Sequence, residues 1–159
     1  MSRLAAGLVC MSLVLPPASA ADTSVVGTWR LQSTVREVVA TGKRNNEFGE
    51  KPDGYVTYLP DGRMHGILTI DDRMRPGGPP STSEEKTKIG TTIGYAGTYT
   101  VEGNMITQRV EFSSNQSWTG SKQVRLYKID GDTMTITAVN TNPKDGQESR
   151  TVAVWKKVK

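Results

Sequence analysis

The segment Gly27-Thr28-Trp29 stands at the head of a stretch in which apolar and polar residues alternate. Alternation with a period of two predicts a β-strand that has one buried and one exposed face. We expect this strand to run from Val26 to Val39. The rest of the sequence is what an antiparallel barrel plugged by this tryptophan would need, and such a barrel is built around a cavity. One face would carry Trp29, Leu31, Ser33 and Val35, and the other Arg30, Gln32, Thr34 and Arg36.

Turn sequences divide much of the remaining chain into short alternating runs. Pro60-Asp61-Gly62, Glu102-Gly103-Asn104 and Asp130-Gly131-Asp132 each join two such runs, as expected for hairpins. Eight strands that follow one another along the chain predict an all-β fold, an eight-stranded antiparallel up-and-down barrel whose interior holds side chains or one small ligand. The seven predicted strands after the first are Gly54–Leu59, Met64–Ile70, Tyr95–Val101, Met105–Ser113, Lys122–Ile129, Thr133–Val139 and Thr151–Val158.

Polar segments separate some of these strands. Thr41 to Asn46 and Asn140 to Gln147 are predicted to be loops, because they are rich in Gly, Asn and charged residues. Ser81 to Glu85 offers capping hydroxyls followed by glutamates, which favour the positive end of a helix dipole. We therefore predict one short helix, ending near Gly90 or Gly94, beside the mouth of the barrel.

The first 20 residues have the composition of an export signal. Arg3 precedes an apolar run from Leu4 to Leu15 that is too short to span a bilayer, and Ala18-Ser19-Ala20 is a typical cleavage site. We expect residues 1–20 to be removed and residues 21–159 to form a single barrel domain, periplasmic or secreted. Cleavage leaves 139 of the 159 residues and removes Cys10, the only cysteine, so no disulfide is expected.

Charge and motifs argue against several classes of function. Loss of Arg3 leaves 19 basic and 16 acidic residues, a formal charge of +3, and no basic face with interleaved aromatics suggests nucleic-acid binding. The single histidine, His65, cannot build a histidine-rich metal site. Phosphate loops, dinucleotide fingerprints and serine nucleophile elbows do not occur in the sequence. We expect no cofactor, no metal and no transmembrane segment, and the sequence indicates no oligomeric state.

Four segments, taken in order, resemble the motifs of the lipocalin-like domain family, which are small calycin-type barrels of bacteria and fungi. They are Gly27–Leu31, Gly54–Met64, Tyr95–Tyr99 and Asn115–Gly120 running into Gln123–Arg125. The resemblance extends from about Val25 to Val158. It implies a barrel with a binding cavity, and calycin barrels include ligand carriers and a few isomerases and cyclases. Family members often carry paired histidines where this chain has Gln108-Arg109, so an activity that needs those histidines is not expected here.

The candidate site residues are aromatic and polar side chains of the predicted strands. We expect Trp29 to be a structural plug, stacked by Lys156 or Arg150 from the last strand. The candidate ligand-binding residues are Tyr55, Tyr95, Tyr99, Arg109, Glu111, Trp118, Gln123 and Arg125. Two arrangements remain open for Arg109, Glu111, Gln123 and Arg125: all four face solvent if the larger apolar side chains of their strands point inward, or all four face the cavity.

Three functions are compatible with these residues. The first is an exported protein that binds a small hydrophobic or amphipathic molecule in the barrel. The second is an isomerase, cyclase or hydratase that uses a cluster of Glu111, Arg109, Arg125 and Tyr95 in the cavity, which requires these side chains to converge. The third is a structural or partner-binding role, which would need a large exposed apolar patch.

Overall fold

The computed structural model describes residues 24–46, 48–69, 92–141 and 146–159, and these residues form nine strands and no helix. A membrane-spanning helix is accordingly not found among them. The predicted short helix after Ser81 lies outside the described residues. The strands are β1 (Gly27–Val38), β2 (Arg44–Asn45), β3 (Asp53–Tyr58), β4 (Arg63–Thr69), β5 (Thr92–Glu102), β6 (Met105–Ser113), β7 (Lys122–Asp130), β8 (Thr133–Thr141) and β9 (Glu148–Lys157).

The sheet closes on itself because β1 pairs with two neighbours. Its first residues pair with β3, and the stretch from Trp29 to Val38 pairs with β9. From β3 to β9 each strand is antiparallel to the next along the chain, so eight strands form a closed up-and-down barrel. The predicted all-β barrel is confirmed. The two-residue strand β2, which pairs with Arg36 and Glu37 of β1, lies within the predicted loop Thr41–Asn46 and was not predicted.

The inner face of β1 changes parity at a bulge. Leu31 pairs with Trp155 and Ser33 pairs with Val154, so Gln32 is an extra residue on β1. An inserted residue shifts the alternation by one position. Thr34, which is 4% exposed, therefore shares the inner face with Trp29 and Leu31. The prediction that Ser33 shares the face of Trp29 while Thr34 lies opposite is wrong for this reason.

The tightest packing lies at one end of the barrel. The largest side chains with less than 2% exposure include Trp29, Tyr58, Met64, Ile106 and Met134. Each belongs to the part of its strand next to the β3–β4, β5–β6 or β7–β8 hairpin, or to the start of β1. These hairpins lie at the same end of an up-and-down barrel, so we call this the closed end. Space inside the barrel is left toward the opposite, open end.

Candidate functional site

Trp29 fills the closed end. Its side chain has no exposed surface, and its indole Nε1 donates a hydrogen bond to the Val25 carbonyl oxygen over 2.8 Å. Lys157 Nζ lies 5.3 Å from the centroid of the indole ring, within the range of a cation–π contact. Lys157 is the residue that pairs with Trp29 across the β1–β9 ladder and shares its inner face.

The cation over Trp29 is thus neither of the two expected from the sequence. Lys156 is one position away along β9, so its side chain points outward and forms an ion pair with Asp132. Arg150 is also exposed on the outer face of β9. The expectation that Lys156 or Arg150 stacks on Trp29 is therefore wrong, because the inner face of β9 carries Trp155 and Lys157.

A cavity of about 640 Å³ occupies the barrel between the closed-end core and the open end. Pockets that hold small molecules have volumes of about 300–1,000 Å³. Its apolar wall includes Val56, Leu68, Ile136, Ala138, Ala153 and Trp155. Phe48 and Trp118 border it from the loops after β2 and β6, which lie at the open end. The cavity therefore has an apolar body and an aromatic rim.

A chain of hydrogen bonds runs along one side of this cavity. Gln108 Nε2 donates to the buried Tyr58 hydroxyl over 2.7 Å, and Arg125 Nε donates to Gln108 Oε1 over 3.0 Å. Arg125 Nη2 also donates to Gln123 Oε1, and Gln123 Nε2 continues to the Ser121 hydroxyl over 3.1 Å. This series of hydrogen bonds connects the closed-end core with the open end and fixes the position of the Arg125 guanidinium.

Two tyrosines of this region, Tyr58 within the hydrogen-bond network and Tyr95 beside it, are neutral. Burial raises the pKa of Tyr58 well above its usual value, and the positive charge of Arg125 opposes this effect only in part. Burial likewise raises the pKa of Tyr95, again against the influence of Arg125. Both phenols therefore remain hydrogen-bond donors throughout the neutral pH range.

Tyr95 owes its place to a glycine on the neighbouring strand. Gly66 pairs with Tyr95 across the β4–β5 ladder, and a Cβ added at Gly66 would lie 2.6 Å from the Tyr95 hydroxyl oxygen. The tyrosine ring therefore lies over β4, where only glycine leaves room for it. On its other side the ring meets Trp118 edge-on, with the ring centroids 5.5 Å apart.

The charged side chains among the described residues that border the cavity are all basic. They are Arg36 on β1, Arg125 on β7 and Lys122 at the rim. No aspartate or glutamate is found among its described lining residues. Two further polar side chains of the wall, Thr34 and Trp155, each have a buried polar atom without a hydrogen-bond partner in the described chain. Because the charged side chains of the described wall are basic, the electrostatic potential inside the cavity favours an anionic group over a cationic one.

Four of the eight candidate ligand-binding residues border the cavity, namely Tyr95, Trp118, Gln123 and Arg125. Tyr99 also points inward, but it lies at the closed end. Its hydroxyl donates to the Leu59 carbonyl oxygen over 2.8 Å, and its ring meets that of Tyr58 edge-on at 4.9 Å. Tyr99 is thus part of the packing below the cavity.

The structure places Tyr55, Arg109 and Glu111 on the outer face of the barrel. Tyr55 is 40% exposed because its neighbours Gly54 and Val56 take the inner positions of β3. Arg109 is exposed, and Glu111 forms an exposed ion pair with Arg63 at 3.3 Å. The cluster required for an acid–base enzyme is therefore not brought together, because its carboxylate points to solvent.

Neither arrangement considered for the four polar residues is correct. Arg109 and Glu111 face outward because Ile106, Gln108 and Val110 take the inner positions of β6. On β7 the order is reversed: Gln123 and Arg125 face inward, while Val124 and Leu126 are about half exposed at 49% and 45%. The polar residues Arg109 and Glu111 of β6 therefore lie outside the barrel, whereas Gln123 and Arg125 of β7 lie inside.

Several residues of the site were not predicted, Gln108 and Tyr58 above all. A signal for Gln108 was present, because a glutamine between Ile106 and Val110 on one face of a strand must be hydrogen-bonded if that face is buried. Tyr58 shares a face with the apolar Val56, which favours an inner position, whereas Tyr55 shares its face with the polar Thr57. Phe48 borders the cavity from a loop, and Arg36 borders it because the bulge in β1 changes which residues face inward. Neither position has a local sequence signal.

A metal site is not assembled in the part of the chain that the structure describes, since no three His, Cys, Asp or Glu side chains cluster there. His65 is exposed on the outer face of β4, with Arg63 and Ile67, as its alternation predicts.

Comparison with known proteins agrees with this geometry. A search of curated proteins gave no match to the chain. A family model described as a lipocalin-like domain matches residues 26–158, which includes every strand of the barrel. The match covers most of the chain, and the chain has the closed eight-stranded barrel described above. The chain therefore belongs to the lipocalin-like domain family.

Proposed function

We propose that this protein is an exported carrier that binds one small amphipathic molecule inside the barrel. The observation that carries the proposal is the cavity of about 640 Å³, enclosed by eight strands and bordered by aromatic side chains at the open end. Ligand binding in general is what a lipocalin-like barrel suggests, and the composition of the wall supports the amphipathic class.

The wall has two chemically different parts. Val56, Leu68 and Ile136 offer an apolar surface, whose burial against a ligand is favourable by about 25 cal/mol for each Å² removed from water. Gln108, Gln123 and Arg125 offer polar groups that are already oriented by their mutual hydrogen bonds. A molecule with an apolar body and one polar group satisfies both parts at once.

Export is proposed from the first 20 residues alone, which have a basic start, an apolar run and a small-residue cleavage site. An exported carrier without a disulfide needs the hydrogen-bonded barrel and its closed-end core for stability. Intact mass measurement of the protein recovered from the periplasm or the medium tests this point. A chain that begins at Ala21 supports export, and a full-length chain retained in the cytoplasm contradicts it.

Native mass spectrometry of the protein purified from its own source tests binding. A stoichiometric small-molecule adduct that is released on unfolding supports a carrier and gives the mass of the ligand. A bare chain mass, together with no uptake of the neutral fluorescent probe N-phenylnaphthylamine, would contradict the proposal.

A matched pair of variants locates the binding site. Ala153 borders the cavity, and Ala96 lies on the outer face of β5, where it pairs with His65 and Phe112. The substitution Ala153→Phe fills part of the cavity and is expected to weaken probe binding by about tenfold or more. Ala96→Phe adds the same side chain outside and should leave binding unchanged. Equal affinity of the two variants would show that the probe binds elsewhere.

A further inference from the structure

We propose that the ligand of this cavity is an organic acid whose anionic group is bound by Arg125, deep in the barrel. This inference rests on the proposed carrier function and assigns the chemical class of the ligand. The relevant features are the hydrogen bonds of Arg125, the charge of the cavity wall and the position of a second donor.

Arg125 has hydrogen-bonding capacity left for a ligand. A guanidinium has five N–H donors. In the described chain Arg125 uses one on Gln108 Oε1 and one on Gln123 Oε1. Three N–H groups remain, one on Nη2 and two on Nη1, whereas a carboxylate bound in the bidentate manner needs two.

The partners of Arg125 within the described residues are neutral, in contrast to those of several other cations of this protein. On the outer surface Arg30 pairs with Asp53, Arg63 with Glu111 and Lys156 with Asp132. Arg125 faces the interior of the barrel, and its hydrogen bonds to described residues go only to the amide oxygens of Gln108 and Gln123. A partly buried charge without a counter-charge is costly, so an anionic ligand group would supply what the described part of the chain does not.

The two glutamines hold the guanidinium in place rather than neutralise it. Gln108 is 2% exposed and is itself fixed by its hydrogen bond to Tyr58, and Gln123 is fixed by Ser121. An arginine oriented before binding loses little side-chain entropy when the ligand arrives. The arrangement is therefore suited to recognise a planar acid group, not merely to provide positive charge.

Tyr95 offers a second donor close to this group. It borders the cavity, its hydroxyl makes no hydrogen bond to another described residue, and its phenol is influenced by the charge of Arg125. Burial raises the pKa of Tyr95 further above neutrality, so its hydroxyl stays protonated and can donate a hydrogen bond to an anion.

The apolar remainder of the ligand would lie against Val56, Leu68 and Ile136, which border the same cavity. This combination predicts an acid with an aliphatic or aromatic body. A free inorganic anion would leave the apolar wall without a partner, and a neutral hydrocarbon would leave the charge of Arg125 without one.

Calorimetric titration with decanoate and with decanol tests the inference, since the two compounds have the same chain and differ in charge. In the unmodified protein decanoate should bind about tenfold tighter than decanol, because a hydrogen bond to a charged group commonly changes affinity by that factor or more. This comparison needs no variant, so it remains valid even if a substitution at position 125 impairs folding.

Two substitutions assign the preference to a residue. Arg125→Gln should weaken decanoate binding by about tenfold and leave decanol binding within about twofold. Arg125→Lys, which keeps the charge but loses the planar fork, should lie between the two proteins. Arg109→Gln removes an arginine from the outer face and should retain the full preference.

The outcomes separate the two proposals. Equal affinity for decanoate and decanol, or an unchanged preference in Arg125→Gln, overturns the assignment of the acid group and leaves the carrier function standing. Failure of both compounds to bind the unmodified protein overturns the carrier function and this inference together.

Discussion

Gly97 is a position at which a single methyl group should damage the barrel severely. On β5, Ala96 pairs with Phe112 and Gly97 with Val110, so Glu111 is an extra residue in a bulge of β6. The bulge brings the two backbones close together. A Cβ added at Gly97 would lie 2.0 Å from the Arg109 carbonyl oxygen and 2.9 Å from the Glu111 nitrogen.

The size of the effect follows from these distances. Ordinary contacts of a Cβ begin at 3.4 Å, so the carbonyl oxygen is 1.4 Å too close. Both obstructing atoms belong to the backbone, and no rotamer change can move them. Gly97→Ala must therefore push β6 away and weaken its ladder to β5, at a cost of about 3 kcal/mol in the free energy of unfolding. For a domain of this size that is a fall in Tm of about 10 °C.

Gly94 provides the matched control on the same strand. A Cβ at Gly94 meets nothing within 4 Å, so Gly94→Ala should change the free energy of unfolding by no more than about 0.5 kcal/mol. Urea unfolding followed by far-ultraviolet circular dichroism measures both variants. A stability of Gly97→Ala within about 1 kcal/mol of that of Gly94→Ala would refute the reasoning.

Three further predictions concern the core, the surface and the pH dependence. Trp29→Ala should lower the free energy of unfolding by about 3–5 kcal/mol, because it empties the closed end. Urea unfolding measures this loss, and a loss below about 2 kcal/mol would contradict the role of Trp29 as a plug. Glu111→Gln should change stability by less than about 1 kcal/mol in the same assay, since its ion pair with Arg63 is exposed. Buried Tyr58 and Tyr95 have a raised pKa, so the folded protein keeps protons that the unfolded chain releases above about pH 10. Stability should therefore be fully present below that pH and fall above it, and ultraviolet titration should show these two phenols ionising only as the protein unfolds.

The strands could be predicted from the sequence because alternation and hairpin turns are local signals. The predicted Met105–Ser113 agrees with β6, and the other predicted strands differ from the observed ones by three residues or fewer at either end. The two-residue strand β2 was missed, since it is too short to have a pattern of its own. The closure of β1 on β9 follows from the number and order of the strands rather than from any residue.

The inner and outer faces were harder to predict, because for each strand one must know which of its two alternating sets of side chains faces the interior. A single inserted residue, Gln32, reversed the second half of β1 and brought Thr34 inside. Tyr55 was preferred to Tyr58 although the two have the same chemistry. The cavity side of β7 was ambiguous because apolar residues lie on both of its faces, with Val124 and Leu126 outside and Ile129 inside. Such information comes from the packing of neighbouring strands, which a local pattern does not contain.

The reversed pattern of β7 has a consequence for how the chain finds its native pairing. A slip of one residue would turn Val124 and Leu126 inward but would turn Tyr127 and Ile129 outward, so the apolar side chains alone discriminate poorly between the two registers. The same slip would turn Gln123 and Arg125 to solvent and leave the buried Gln108 amide without its guanidinium partner. The polar chain therefore discriminates between two registers of similar backbone geometry. In this barrel the residues that give the cavity its charge also decide which of two competing alignments is the folded one.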